Sequence, residues 1–380
     1  MSQLVGGGLH SVLRRAAREA ARLKKLSVGA DDLFFGLVGR YPQLRAAIPV
    51  ESEPQNRTTY DAPDQPELPL TLTVELTRAM RETYWNCFGW PGPARVRLAE
   101  TLGWEPEARA VLGVAAHLAV LRRASSVGSD HLLEALLDEP GNSAHRYIVW
   151  HRLVPGRLDD VTARLWPRGD REPPRSGLAD PLRQIGVLVG GGQQPSRGGR
   201  LASRLIASGS RLLAQTTPTL GGLELEAVAE TVRLGHDRTS PAHLMAAVLV
   251  LEEEMRAGVL RPAGASALAN EILLGHFGPT RQEAGLVLAE TSFDGEFAGS
   301  RPRRAWRTDP TNPPWTVAAD RIAERAREVS TLGARLPAGS AHLVYAALTD
   351  PDEDARRLLA GLGVDPNVVC DLAARRLGLA

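Results

Sequence analysis

The sequence predicts an all-α protein built as two tandem helical bundles, each made of two pseudo-symmetric repeats. Three observations predict it. The 380-residue chain is 43% hydrophobic but only 5% aromatic, with Leu and Ala dominant, and those two residues lose little on entering a helix, whereas β-branched and aromatic residues build strands. Apolar residues recur at helical spacing, as in Leu9, Leu13, Ala16, Ala17, Ala20 and Leu23. One punctuation motif returns four times at duplicated spacing.

Along the chain, Leu9 to Val38 reads as helix, tight turn, helix. The apolar stripe ends at Val28-Gly29-Ala30-Asp31-Asp32, and Leu33, Gly36 and Leu37 begin a second stripe. The same break returns at Val127-Gly128-Ser129-Asp130-His131, at Ser240-Pro241-Ala242-His243 and at Gly339-Ser340-Ala341-His342. Ser129, Ser240 and Ser340 stand where a helix N-cap belongs, and Ser240 followed by Pro241 suits a helix start. Gly29 and Gly128 are 99 residues apart, as are Ser240 and Gly339. Shifting the first half by 211 residues pairs Leu23 with Leu234, Leu33 with Leu244, Trp104 with Trp315, His131 with His342, Pro140 with Pro351 and Pro155 with Pro366. Unrelated helices would not keep rare Trp and Pro in register, so a two-repeat domain was duplicated whole. A single unit cannot bury its apolar face, and pairing two units makes a core.

These offsets place a first domain at 1–166, with repeats near 9–48 and 105–166, and a second at 216–380, with repeats near 218–260 and 316–380. The spacers carry helical signal from Leu72 to Leu102 and from Leu268 to Ala289. Between the domains, 167–215 is rich in Gly, Pro and Arg and reads as a flexible linker with short helices at Leu182–Leu188 and Leu201–Leu213. Gly190-Gly191-Gly192 follows an apolar run but lacks Gly-x-Gly-x-x-Gly.

Composition excludes several classes. Net charge is +1, so no global field draws in nucleic acid. Cys87 and Cys370 form no CxxC pair, and no stretch approaches the roughly 18 apolar residues of a membrane span. A soluble cytoplasmic protein is expected. No P-loop exists: Lys24 and Lys25 are the only lysines, and neither follows a Gly-rich cradle. Nothing assembles a nucleophile, a base and an orienting group, and the histidines show no zinc spacing. No enzyme activity, cofactor or metal is expected. Tyr84-Trp85-Asn86-Cys87-Phe88-Gly89-Trp90 is an aromatic cluster that suits a core patch or an exposed docking surface.

The motifs resemble the N-terminal domain of Clp-type AAA+ unfoldases such as ClpC and ClpA, which pairs two helical repeats. Leu234-Gly235-His236, the run from Val127 to Leu137, and the closing pair from Ala355 to Asp365 carry the resemblance, over about two-thirds of the chain. The 99-residue spacing is longer than the family's usual one. The resemblance implies a docking module without its motor: a non-enzymatic partner of a ClpC-type unfoldase or of its substrates and adaptors. Phosphoarginine proteins or cyclic-peptide antibiotics are its candidate ligands. In the family, the motif acid helps hold a phosphoarginine guanidinium. That position is Asp31 and Asp130 here, but Ala242 and Ala341 in the second half. A carboxylate accepts the guanidinium fork and an alanine cannot, so guanidinium binding would belong to the first half. Asp31 and Asp130 equally suit a helix N-terminus through its dipole. Phe34, Phe35 and His131 are their expected neighbours, although a structural role at the helix start is favoured for the motif histidines. The alternative is a nucleic-acid-binding regulator on the same scaffold. The linker's eight arginines from Arg168 to Arg211 raise it, but no aromatic interleaving supports it.

Overall fold

The computed structural model describes residues 4–25, 27–47, 68–89, 103–138, 142–144, 160–161, 163–166, 177–190, 217–263, 267–291, 312–332 and 337–379. Its elements are overwhelmingly helical, as expected, and among the described residues the strands form two small two-stranded sheets. The chain divides into two units, Met1–Arg175 and Ser176–Ala380.

The first unit runs β1 (Leu4–Val5), α1 (Gly7–Arg22), α2 (Ala30–Arg40), α3 (Pro42–Ala47), α4 (Leu70–Phe88), α5 (Pro106–Leu121), β2 (Ser126–Val127) and α6 (Ser129–Asp138). α1 and α5 have the same length and start 99 residues apart; α2 and α6 start at the same offset. The two repeats grip each other reciprocally. Val5, ahead of the first helix of repeat one, pairs in parallel with Val127, ahead of the second helix of repeat two. Trp104 and Val28 form the mirror pairing. Gly6 N–H donates to Val127 O at 2.8 Å, and Glu105 N–H to Val28 O at 3.0 Å.

The second unit runs α7 (Ala179–Gln184), β3 (Leu188–Gly190), α8 (Pro218–Leu234), α9 (Pro241–Ala257), β4 (Leu260–Pro262), 3₁₀ turns at Leu268–Asn270 and Leu274–Phe277, α10 (Arg281–Ala289), α11 (Val317–Thr331), α12 (Ser340–Thr349), α13 (Asp354–Gly361) and α14 (Pro366–Leu377). α8 and α11 start 99 residues apart, and so do α9 and α12. Thr239 pairs with Trp315, which is the Val28–Trp104 bridge moved by 211 residues. Thr217 Oγ1 donates to Ala338 O where Gly6 meets Val127 in the first unit.

The cores repeat as well. Ala16, Ala115, Ala227 and Ala326 are equivalent and fully buried, as are Leu33, Leu132, Leu244 and Leu343. Small residues at the first position let the paired helices approach closely. The facing position is Gly36, Ala135, Ala247 or Ala346, all buried. At Gly36 the approach leaves no room for a side chain: a Cβ there would lie 2.7 Å from Val12 O and 3.1 Å from Ala16 N. Each buried Leu contributes about 1.5–3 kcal/mol by leaving water.

One core position departs from apolar character. Where the first unit has Leu13 on α1 and Ala116 on α5, the second has Glu224 on α8 and Arg327 on α11. Glu224 is fully buried, and the two form an ion pair between the repeats.

Three stretches differ from the sequence reading. Residues 177–190, expected inside the linker, belong to the second unit. β3 pairs antiparallel with β4, Leu188 opposite Pro262, and Leu178, Ala179 and Leu182 are buried. The short helix expected at Leu182–Leu188 lies at Ala179–Gln184 and gives way to strand. The first spacer helix is broken after Phe88 by Gly89 at φ 78, and residues 90–102 lie outside the described residues. The second spacer is broken into two 3₁₀ turns and α10, with Gly278 at φ 87 between them. Trp90, the remaining linker from 191 to 216, Pro140, Pro155, His145 and His151 lie outside the described residues.

Candidate functional site

Every second helix of a repeat opens the same way. Its N-cap backbone N–H donates to the side chain three residues on: Gly29 to Asp32 Oδ2 at 2.9 Å, Gly128 to His131 Nδ1 at 3.0 Å, Ser240 to His243 Nδ1 at 3.0 Å and Gly339 to His342 Nδ1 at 3.2 Å. This is the reciprocal half of a capping box, with imidazole or Asp in the place of Glu. All four side chains are buried. The motif histidine is therefore a helix cap whose Nδ1 must be bare to accept. Burial accordingly pushes His342 down to about 4, and burial together with the neighbouring His236 holds His243 well below the ordinary range.

The residue before the cap partner varies with the half. Asp31 opens α2 in the first unit. Its Oδ2 lies 2.9 Å from Lys25 Nζ, and its N–H donates to Ser143 Oγ at 3.1 Å. Lys25 also reaches Asp32 Oδ1 at 2.8 Å. Burial works against the lysine charge, but Asp32 and Asp31 outweigh it and hold its pKa above the usual value. Asp32 shifts the other way. It is buried and sits beside Asp31, and one ammonium is shared between two carboxylates, so its pKa is raised despite Lys25 and the Gly29 N–H. Glu105 accepts from Ser27 Oγ at 2.8 Å, and Glu107 accepts the Ser143 N–H. The start of α2 is thus an acidic, hydrogen-bonded cluster carrying one ammonium.

Asp130 opens α6 and has its Oδ1 3.0 Å from His131 Nδ1. That nitrogen accepts from Gly128 when bare and donates to Asp130 when protonated, so the two contacts exclude one another. Burial raises the Asp130 carboxyl, and the His131 contact more than compensates, leaving it below the usual range. Ser129 Oγ accepts from the Tyr41 hydroxyl at 3.0 Å.

Phe34 and Phe35, expected beside these acids on a binding surface, divide. Phe34 is buried at 1% exposure, at the core position filled by Leu133, Met245 and Val344 in the other repeats; Phe35 is half-buried against it, edge-on at 6.0 Å between ring centroids. His131 is taken up by its cap. Asp31 and Asp130 remain the members with partly exposed carboxylates. In the aromatic spacer, Tyr84 stacks on Phe88 at 4.8 Å, while Cys87 and Phe88 pack against the core.

Lys25, Ser143, Glu105 and Glu107 are members of this site that the sequence reading does not name. The repeat offsets do contain the signal for Lys25. Its equivalents are Ala124, His236 and Arg335, and His236 Nδ1 meets His243 Nε2 at 2.8 Å, just as Lys25 meets Asp32. In the third repeat a histidine pair thus replaces the lysine and aspartate of the first, while His131 goes with Ala124 and His342 with Arg335 at the same offset. Because His243 Nδ1 accepts from Ser240, its Nε2 carries the proton and donates to His236.

A second feature escaped sequence reading. Glu252, Glu253 and Glu254 on α9 each cap a different segment. Glu252 accepts the N–H groups of Leu273, Leu274 and Gly275 at 2.9, 3.2 and 2.6 Å. Glu253 accepts that of Arg281 at 3.2 Å. Glu254 accepts those of Gly177, Leu178 and Ala179 at 2.7, 3.0 and 2.7 Å. A consecutive acidic run ordinarily lies on a solvated face; here it anchors both the spacer and residues 177–179.

Among the described residues no group of three His, Cys, Asp or Glu could hold a metal ion, and no helix is long and apolar enough to cross a membrane. No protein-family model and no curated protein matches the chain. Among solved structures, the chain is similar to the N-terminal domain of the caseinolytic protease associated chaperone ClpD from Arabidopsis thaliana. The identity is 20%, covering 44% of this chain and 98% of that one, with a TM-score of 0.31.

Proposed function

We propose that the protein is a non-enzymatic binding protein of the Clp protease system that engages ligands of a ClpC-type N-terminal domain. It would serve as an adaptor or regulator, or as a sponge that sequesters cyclic-peptide antibiotics directed at that domain. The observation that carries this reading is the four-fold capped helix start, set in two reciprocally paired double repeats, which matches the motif on which the family resemblance rests. Guanidinium recognition falls to the first unit. Asp31 and Asp130 present carboxylates at two helix starts there, while Ala242 and Ala341 offer none.

Purified full-length protein would be tested by calorimetry against a ClpC-type N-terminal domain, an arginine-phosphorylated peptide and a cyclic-peptide antibiotic of that domain. Binding of at least one is expected. Where the phosphopeptide binds, Asp31→Asn or Asp130→Asn should weaken it roughly tenfold or more, the loss of a charge-assisted contact worth about 1.5–3 kcal/mol. Failure to bind any of the three refutes the reading.

A further inference from the structure

We propose that Lys25 is a built-in latch on the Asp31 carboxylate: its ammonium occupies the group that a guanidinium ligand would use, so the site opens only when Lys25 lets go. This rests on the guanidinium reading of Asp31 above. Lys25 Nζ sits 2.9 Å from Asp31 Oδ2 and 2.8 Å from Asp32 Oδ1, with the Lys25 and Asp31 side chains about one-fifth exposed and Asp32 buried. The inner contact with Asp32 is needed by the fold, because an Asp in the cap position is a buried charge and requires a counterion. The outer contact with Asp31 is not part of the cap. An incoming cation must either displace the ammonium from Asp31 or sit beside it and be repelled.

The other repeats show that the latch is separable from the cap. In the third repeat the Lys–Asp pair is replaced by His236 and His243, in contact at 2.8 Å. The Ser240 N–H is still accepted at 3.0 Å. In the second repeat Ala124 stands at the lysine position, and His131 caps the helix without any cation there. Asp130 is accordingly not held by a lysine. Among the described residues, the first unit thus carries one carboxylate held by a lysine and one whose contact is with its neighbouring cap histidine, at equivalent places.

The test transplants the third-repeat pair. Lys25→His with Asp32→His keeps a cap acceptor and removes the ammonium, leaving Asp31 in place. Thermal unfolding first establishes that the double variant folds. Calorimetry then measures an end-capped, unphosphorylated arginine-bearing peptide against wild type, the double variant, and each with Asp31→Asn added. The double variant is expected to bind roughly fivefold tighter or more, the scale of one partly buried ion pair removed as a competitor, and Asp31→Asn should abolish that gain. Equal, weaker or absent binding by the double variant overturns the latch, as does a gain that survives Asp31→Asn. If Asp31→Asn nonetheless weakens wild type, the latch falls alone; if it changes neither protein, the guanidinium reading falls with it. Should the double variant not fold, Lys25→Ala with Asp32→His, which reproduces Ala124 and His131 of the second repeat, takes its place under the same criteria.

Discussion

The buried Glu224–Arg327 pair gives the second unit an asymmetric weak point. Glu224 has no exposed surface and Arg327 is 9% exposed, so Arg327→Ala takes the ion-pair partner from a carboxylate inside a core. Removing one partner of such a pair costs about 3–5 kcal/mol. Glu224→Leu should cost less, because Arg327 keeps Glu324 at 3.2 Å and the Ala323 carbonyl at 2.6 Å. The double variant Glu224→Leu/Arg327→Ala recreates the Leu13 and Ala116 of the first unit. There the buried charges vanish and a leucine side chain is added to the core, worth about 1.5–3 kcal/mol of apolar burial. The expected order of loss is therefore Arg327→Ala, then Glu224→Leu, with the double variant equal to wild type or more stable by about 1–4 kcal/mol. Urea unfolding followed by amide exchange at core positions of α8 and α11 reads the second unit separately from the first. A loss under about 1 kcal/mol for Arg327→Ala, or a double variant no better than that single, would refute the account of this pair as a charge-for-leucine exchange.

Three further outcomes follow from the same geometry. His342 sits at about 4 in the folded chain against an ordinary 6.5, so the unfolded chain binds the extra proton. Its contribution is whole above pH 6.5 and is lost as pH falls toward 4, by about 3 kcal/mol; denaturant titrations at pH 7, 5.5 and 4 should show this slope, and His342→Gln, which can still cap, should flatten it. Gly36→Ala should destabilise the first unit by about 1–3 kcal/mol, because the added Cβ meets the Val12 carbonyl at 2.7 Å, and an unchanged melting temperature would contradict that crossing. Glu252→Ala should cost about 2 kcal/mol or more by leaving three N–H groups without their acceptor. Hydrogen exchange would check it, with protection falling at Leu273, Leu274 and Gly275 and not at Asp354 to Gly361.

The helices and the duplication were legible because both are periodic. The 99- and 211-residue offsets that align Gly29, Gly128, Ser240 and Gly339 also align the helix starts, the Val28–Trp104 and Thr239–Trp315 bridges and the core alanines. Lateral polar contacts have no period and were missed. Glu252–Glu254 has the look of a solvated charge run, and its partners lie in segments whose own sequence is glycine-rich or irregular. Residues 177–190 were assigned to a linker because what orders them, Glu254 and β4, stands 75 or so positions further on. At the site, the aligned repeats already contained a hint against Phe34 as a surface contact, since Leu133, Met245 and Val344 fill its place. The offsets single out the position of Lys25, but its pairing with both acids is set by distances the offsets do not carry.

The crosswise strand pairing carries a consequence for how such a chain changes over time. Neither repeat can shed the other, because each holds the doorway of its neighbour's second helix at Val5–Val127 or Val28–Trp104. The peptide joining the two repeats is thereby relieved of the task of aligning them. Among the described residues, one copy carries the long helix from Leu70 to Phe88 in that joint, the other tight 3₁₀ turns and a short helix. Connecting segments are thus the part of this architecture where new chemistry can be inserted without disturbing the clasp.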